Sequence, residues 1–250
     1  MKVSVLASGS KGNSTYIETN HHKFLVDLGT TSTYVEKKLK ELEIEPNDIE
    51  GIFLTHTHVD HISGLRVFIK RYHPELYVSQ IMYDELVKTY PDFSYTIIDK
   101  YFELDSFHVT VFKTSHDVDD SNGYLFEEEN ASIVYITDTG YLNQKYFSML
   151  KNKSIYIMES NHDINLLMNG KYPYHLKQRI LGDRGHLSNV DSSYYLSKLI
   201  GNKTERIILI HLSEENNDAK IAYDTCVEKI PYEIPVIVST QKEQTELVEV

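Results

Sequence analysis

The stretch Gly51-Ile-Phe-Leu-Thr-His-Thr-His-Val-Asp-His61 decides how the chain is read. Its first four residues make a short apolar run of buried-strand type. Directly after that run come His56, His58, Asp60 and His61, four candidate metal ligands within six residues. Ligands two apart on an extended strand end project the same way. Asp60 and His61 fall where Ile62–Tyr72 takes up helical spacing, with Ile62, Leu65 and Ile69 on one face, so they can face a second ion. Two metals about 3.5–4 Å apart can clamp the attacking and leaving oxygens of a displacement. A chance cluster of surface histidines is the bland alternative, and the strand-before, helix-after placement argues against it.

Composition narrows the chemistry. The chain has 250 residues, with 25 Lys and Arg against 37 Asp and Glu, 12 His and one Cys, for a formal charge of −12. That length suits one domain spanning residues 1–250. With only Cys226, no intrachain disulfide and no multi-thiolate site can form, so any metal is held by imidazole and carboxylate. A generic cationic nucleic-acid coat is not expected from this charge balance. No window approaches about 18 apolar residues, so no membrane span is expected. The segment Met1–Ser14 reads as a first strand entering a glycine turn, too briefly apolar for a signal peptide. A cytoplasmic location is expected, which also fits a lone thiol.

Strands are expected at Val3–Ala7, Thr15–Glu18, Phe24–Asp27, Gly51–Leu54, Leu76–Val78, His108–Phe112, Gly123–Glu127, Ser132–Thr137, Ser154–Met158, Arg206–Ile210 and Val236–Val238. Helices are expected at Ser32–Leu42, Ile62–Tyr72, Met82–Thr89, Gln144–Leu150, Val190–Leu199 and Asp218–Lys229. Periodicity alone therefore gives a mixed α/β layered architecture.

The His56–His61 motif, together with Asp27 in Leu25-Val-Asp-Leu-Gly29, resembles the metallo-β-lactamase fold superfamily. That resemblance implies a four-layer αβ/βα sandwich with further ligands at the ends of later strands. His116, Asp138 and His211 each follow an expected strand. By resemblance, His56, His58 and His116 would bind one ion, Asp60, His61 and His211 the other, and Asp138 would bridge them. A sulfur-free set of this kind suits two zinc ions, with manganese or iron as alternatives. Asp27 would orient a ligand histidine or simply brace its turn.

Further motifs narrow the branch. Ser8-Gly-Ser-Lys-Gly-Asn-Ser14, Glu159-Ser-Asn-His-Asp163, Arg179-Ile-Leu-Gly-Asp-Arg-Gly-His-Leu-Ser-Asn189 and His211-Leu-Ser-Glu-Glu-Asn-Asn217 together look like the WalJ/YycJ family, related to ribonuclease Z and to the phosphodiesterase of phosphonate metabolism. The resemblance implies a metal-dependent phosphodiester hydrolase, a 5′ to 3′ DNA exonuclease using a metal-bridging hydroxide, with links to DNA repair. No basic flexible arm of the kind long ribonuclease Z enzymes use appears, which argues against tRNA 3′ processing. Alternatives are a small-molecule cyclic phosphodiesterase and a non-catalytic metal-bound regulatory module.

Within this reading Asp60 and His186 are the catalytic candidates, Asp60 as ligand and hydrogen-bond acceptor, His186 as general acid. His162 either orients substrate or braces the Asn161–Asp163 turn. Residues 145–184 carry seven Lys or Arg against three acids, an island of positive charge in an acidic chain. Lys177, Arg179 and Arg184 are the expected phosphate contacts, with a solvated basic surface as the alternative. A DNA end held in a narrow footprint is then compatible with a charge of −12.

Overall fold

The computed structural model describes residues 1–231, 233–241 and 243–250. The first half builds β1 (Lys2–Ala7), β2 (Ser14–Glu18), β3 (Lys23–Val26), α1 (Ser32–Glu41), β4 (Gly51–Phe53), α2 (Val59–Ile62), α3 (Leu65–Tyr72), β5 (Glu75–Val78), α4 (Gln80–Thr89) and β6 (Tyr95–Ile97). The second builds β7 (Tyr101–Leu104), β8 (Phe107–Lys113), β9 (Asn122–Glu128), β10 (Ala131–Ile136), α5 (Phe147–Leu150), β11 (Ile155–Glu159), α6 (Ile164–Asn169), α7 (Tyr174–Leu181), α8 (Asn189–Leu199), β12 (Arg206–Ile210), α9 (Ala219–Lys229) and β13 (Val236–Val238). A last short strand, β14 (Val248–Glu249), returns to pair with β1.

The strands form two sheets, ordered β14-β1-β2-β3-β4-β5-β6 and β13-β12-β11-β10-β9-β8-β7. Each sheet joins an antiparallel meander to a parallel set. In the first, β1, β2 and β3 alternate, and β3, β4, β5 and β6 run parallel. In the second, β7 to β10 alternate, and β10, β11, β12 and β13 run parallel. Parallel strands covered on both faces need continuous apolar runs. Ile155-Tyr-Ile-Met-Glu159 is such a run, buried throughout.

Three apolar seams define four layers. Val35 and Leu39 of α1, Phe68 of α3 and Met82 of α4 pack on the outer face of the first sheet, against Leu25, Ile52 and Leu76. Phe24, Phe53, Phe107, Tyr124 and Phe126 fill the space between the sheets with Ile133, Ile157 and Ile208. Phe24 and Phe107 stack with centroids 5.2 Å apart, and Phe53 and Tyr77 at 4.4 Å. Leu196 and Leu199 of α8 and Ala222 and Cys226 of α9 cover the far face of the second sheet. The arrangement is the αβ/βα sandwich. Among the described residues no helix is long and apolar enough to cross a membrane.

Two expectations change. The helix expected over Ile62–Tyr72 is two helices, α2 and α3. The chain opens at Ser63–Gly64 so that Ser63 Oγ donates to Gly29 O (2.6 Å) and Gly64 N to Leu28 O (2.9 Å). The strands β6, β7 and β14 and the helices α6 and α7 were not expected at all. Strand β7 lies at a sheet edge with every side chain at least partly exposed, and α6 and α7 leave Ile164, Leu166, Met168, Tyr174 and Leu181 exposed. Neither pattern carries a clear apolar stripe.

The candidate metal centre and its cleft

The carboxyl ends of the parallel strands from both sheets meet along one edge, and the chemistry-bearing residues gather there. Asp27 follows β3, His56 lies just beyond β4, Asp138 follows β10, Glu159 ends β11 and His211 follows β12. Asp27, Asp138 and His211 take left-handed backbone conformations, with φ of 59°, 46° and 58°. Non-glycine residues rarely adopt that region, and it persists where the surroundings enforce it. The first turn of α2 is set by a close approach. A Cβ on Gly29 would lie 1.5 Å from the Asp60 carbonyl oxygen, so only glycine lets the β3 loop pass beneath Asp60 and His61.

Hydrogen bonds fix which ring nitrogens point inward. Asp27 accepts from Thr55 N and Thr55 Oγ1 (both 2.8 Å) and from His61 Nδ1 (2.7 Å). Having donated its one proton to Asp27, the Thr55 hydroxyl accepts from His56 Nδ1 at 3.0 Å. That leaves a lone pair on His56 Nε2, which is buried without a partner. His211 Nδ1 donates to Glu159 Oε1 (2.9 Å), and His211 Nε2 is likewise buried without a partner. His116 Nδ1 donates to Gly185 O (3.3 Å), turning Nε2 toward His58 Nδ1 at 3.3 Å.

These atoms form compact groups. His56, His58 and His116 bring one ligand atom each within 4.8 Å of one another, as do Asp60, His61 and His211, and so do His56, His61 and Asp138. In the second group Asp60 Oδ2 stands 3.7 Å from His61 Nε2 and 3.8 Å from His211 Nε2. Asp138 reaches both groups, 3.1 Å from His61 Nε2 and 3.9 Å from His116 Nε2. Ligands about 2.0–2.2 Å from one zinc ion in a tetrahedron lie roughly 3.3–3.6 Å from each other. The spacing therefore fits two adjacent ions, and the orphaned imidazole nitrogens give them a reason to bind.

The electrostatics agree. Burial holds His56 well below the usual imidazole range, with His61 adding to the effect, and burial also lowers His116 despite Asp138. Neutral imidazole is the ligating form. His61 is pushed the other way. Burial opposes its charge, but Asp27 and Asp138 outweigh burial and raise it to about 10. The same carboxylates that favour a proton there would favour a divalent cation.

His186 differs from the ligand histidines. It lines the cleft, and its Nδ1 donates to Glu159 Oε1 at 2.7 Å, leaving Nε2 for the cleft. Glu159 also accepts from Thr139 N (3.0 Å) and Leu187 N (3.1 Å). A fourth close group joins Asp138, Glu159, His186 and His211. Since both histidines spend Nδ1 on Glu159, this group reads as a carboxylate orienting two imidazoles rather than as an ion site. Burial lowers the His186 pKa, but Glu159 and Asp138 more than reverse that, so its net shift is upward.

The remaining candidates separate. The Lys177 ammonium is buried and donates to Met168 O (2.7 Å) and Gly170 O (2.8 Å), so it does not offer a phosphate contact. Arg184 lines the cleft, but its Nε donates to His116 O (2.8 Å) and its Nη2 to Val118 O (2.9 Å), bracing the His116 loop. Arg179 keeps an exposed guanidinium at the rim, paired with Asp117. His162 is buried behind the cleft with both ring nitrogens unpartnered, and burial brings its pKa down to about 4. From that motif it is Asn161 that lines the cleft, its Nδ2 donating to His211 O at 2.9 Å.

Sequence reasoning also passed over three braces. Glu159 closes an apolar strand, and a carboxylate in that position was the available signal. Ser8 accepts from His211 N through Oγ (2.6 Å). The Asn13 amide stands 3.3 Å from Asp60 O and 3.0 Å from His61 Nε2. The amino-terminal glycine turn thus holds candidate ligands contributed by both sheets. The whole cleft encloses about 300 Å³.

Residues 7–150 match the family described as the Metallo-beta-lactamase superfamily. The chain is 38% identical over 236 residues to Exodeoxyribonuclease WalJ of Streptococcus pneumoniae strain D39, covering 92% of this chain and 88% of that protein. It is 37% identical over 229 residues to Exodeoxyribonuclease YycJ of Bacillus anthracis, covering 88% and 85%. Among solved structures, the metallo-beta-lactamase fold protein YhfI from Bacillus subtilis superposes with a TM-score of 0.75 at 15% identity, covering 98% of this chain and 99% of that one.

Proposed function

Because the chain belongs to the metallo-beta-lactamase superfamily, in its WalJ/YycJ family, and is accordingly a metal-dependent hydrolase of phosphodiesters, we propose that it is a 5′ to 3′ DNA exonuclease working with two divalent ions, zinc first among the candidates. His56, His58 and His116 would hold one ion, Asp60, His61 and His211 the other, with Asp138 between them. Ions bound there would supply Lewis-acid charge, lowering the pKa of the attacking water and offsetting charge on the phosphoryl oxygens. Asp60 is exposed enough to accept a hydrogen bond from that water and orient it. His186, oriented by Glu159 and with its pKa raised by that carboxylate, donates from Nε2 to the leaving oxygen. Arg179 is positioned to meet the backbone of the retained strand. Asn161 and the rim serines Ser10 and Ser213 can hold non-bridging oxygens.

The observation that carries this reading is the Glu159–His186 pair. An imidazole beside the candidate ligands, its pKa raised by the Glu159 carboxylate that also orients His211, supports acid catalysis of phosphodiester cleavage. A cytoplasmic setting and a use in DNA repair complete the reading, with the lone buried Cys226 in keeping with a reducing compartment. Digestion of 5′- and 3′-labelled single- and double-stranded oligonucleotides with zinc or manganese tests it. The expected first product is a mononucleotide carrying the 5′ label. Early release of the 3′ label would reverse the polarity. Cleavage of cyclic nucleotides with DNA left intact would move the reading to a small-molecule phosphodiesterase.

A further inference from the structure

We propose that Tyr172, with Leu176 and Ile180, forms a stacking wall for the nucleobase of the terminal nucleotide, so that the substrate end must be unpaired to enter. The proposal rests on the phosphodiesterase reading above. The cleft lining is of two kinds. Candidate ligands and His186 supply its polar part. It also includes three partly buried apolar or aromatic side chains, Tyr172, Leu176 and Ile180, that the hydrolytic chemistry does not use. Leu176 and Ile180 lie four apart on α7 and share a face. Tyr172 stands just before the same helix, whose entry is set by Pro173 with φ −63°.

The wall is built in advance. Lys177, four residues before the exposed Leu181, turns its ammonium inward to the carbonyls of Met168 and Gly170. Burying that charge is favourable only because those carbonyls replace water. The bond fastens the segment carrying Tyr172 to α7. At the other end, His186 N donates to Ile180 O at 3.0 Å. A Cβ on Gly185 would lie 2.1 Å from that same oxygen, so the His186 loop closes directly on the helix end. Wall and proposed acid are therefore tied to the same helix end.

Size and chemistry select the occupant. About 300 Å³ is at the small end of ligand cavities, suited to one nucleotide and not to a duplex. An aromatic face beside an anion-directed centre fits a base whose phosphate reaches the ions, and stacking of this kind tolerates any base.

The test uses the full-length, metal-loaded protein with single-stranded oligonucleotides whose first-released nucleotide either carries its base or is abasic. Tyr172→Ala is expected to raise KM on the base-bearing end by roughly tenfold or more, with kcat less affected. On the abasic end the same substitution should change KM by no more than about twofold. Tyr172→Phe should restore the base-bearing substrate. Equal penalties on both ends, or none on either, would overturn the stacking wall while leaving the hydrolase reading standing. Failure of the wild-type protein to cleave any phosphodiester would remove that reading and the wall with it.

Discussion

Glu159 orients two histidines of the site at once, His186 and His211, through one carboxylate oxygen. Burial alone would raise its carboxyl, but the charge on His186 and the hydrogen bonds from His186 and His211 outweigh burial and bring it to about 2. Ionised at all ordinary pH, it fixes both rings through Nδ1 and favours the protonated form of His186. Glu159→Gln preserves the volume and removes the charge. The His186 pKa, raised by Glu159, should then fall, and a reaction needing protonated His186 should lose rate at lower pH than the wild type does. With metal in excess, the high-pH limb of the pH–rate profile is expected to move down, and turnover to drop roughly tenfold or more. An unmoved limb would show that the acid lies elsewhere. Glu159 itself was hard to read in the sequence, because a carboxylate closing an apolar strand is indistinguishable there from an ordinary turn residue. His162, read as either orienting substrate or bracing its turn, is buried outside the cleft lining, while its neighbour Asn161 lines it.

At the scale of elements, the site depends on loops that bend sharply at strand ends and then pass close to one another. Gly29 is the tightest crossing. Gly29→Ala would drive a methyl group into the Asp60 carbonyl and displace α2, which carries Asp60 and His61. Metal content measured after purification is expected to fall well below that of the wild type, while far-UV circular dichroism retains the sandwich. Retention of full metal content would show that α2 can shift without losing its ligands. The strands that position these loops were legible in the sequence because buried parallel strands are written as unbroken apolar runs. Their edges were less so. β6 and β7 are half exposed, and α6 and α7 hold their place through Lys177 and the His186 loop rather than through an apolar stripe. Long-range fastenings such as Ser8 to His211 leave no local mark in the sequence. The candidate ligand set was more legible than the groups that hold it, since ligand residue types are few and the supports are backbone carbonyls, hydroxyls and amides.

For the molecule as a whole, the cluster of buried acids and unpartnered imidazole nitrogens between the sheet ends is a source of instability unless cations fill it. Chelation is expected to lower the thermal midpoint. Ligand at about a thousandfold over its dissociation constant stabilises by about 4 kcal/mol, and each kcal/mol is worth about 2–4 °C in a chain of this size. A shift near 10 °C, reversed by adding zinc or manganese, is the expected scanning-calorimetry result; an unchanged midpoint would mean the centre is not metal-loaded in the folded protein. The division of the centre between the sheets also sets an order in time. His56, His58, Asp60 and His61 belong to the segment that builds the first sheet, whereas His116, Asp138 and His211 come from the one that builds the second. At about 5–20 residues per second, the ribosome needs roughly 8–30 s to travel from His61 to His211. Throughout that interval the nascent chain carries its most conspicuous motif without the partners that would complete it. On the proposed reading, hydrolytic activity is withheld until His211 has been made, so the half of the centre carried by the first sheet cannot act by itself beside the machinery that is making it.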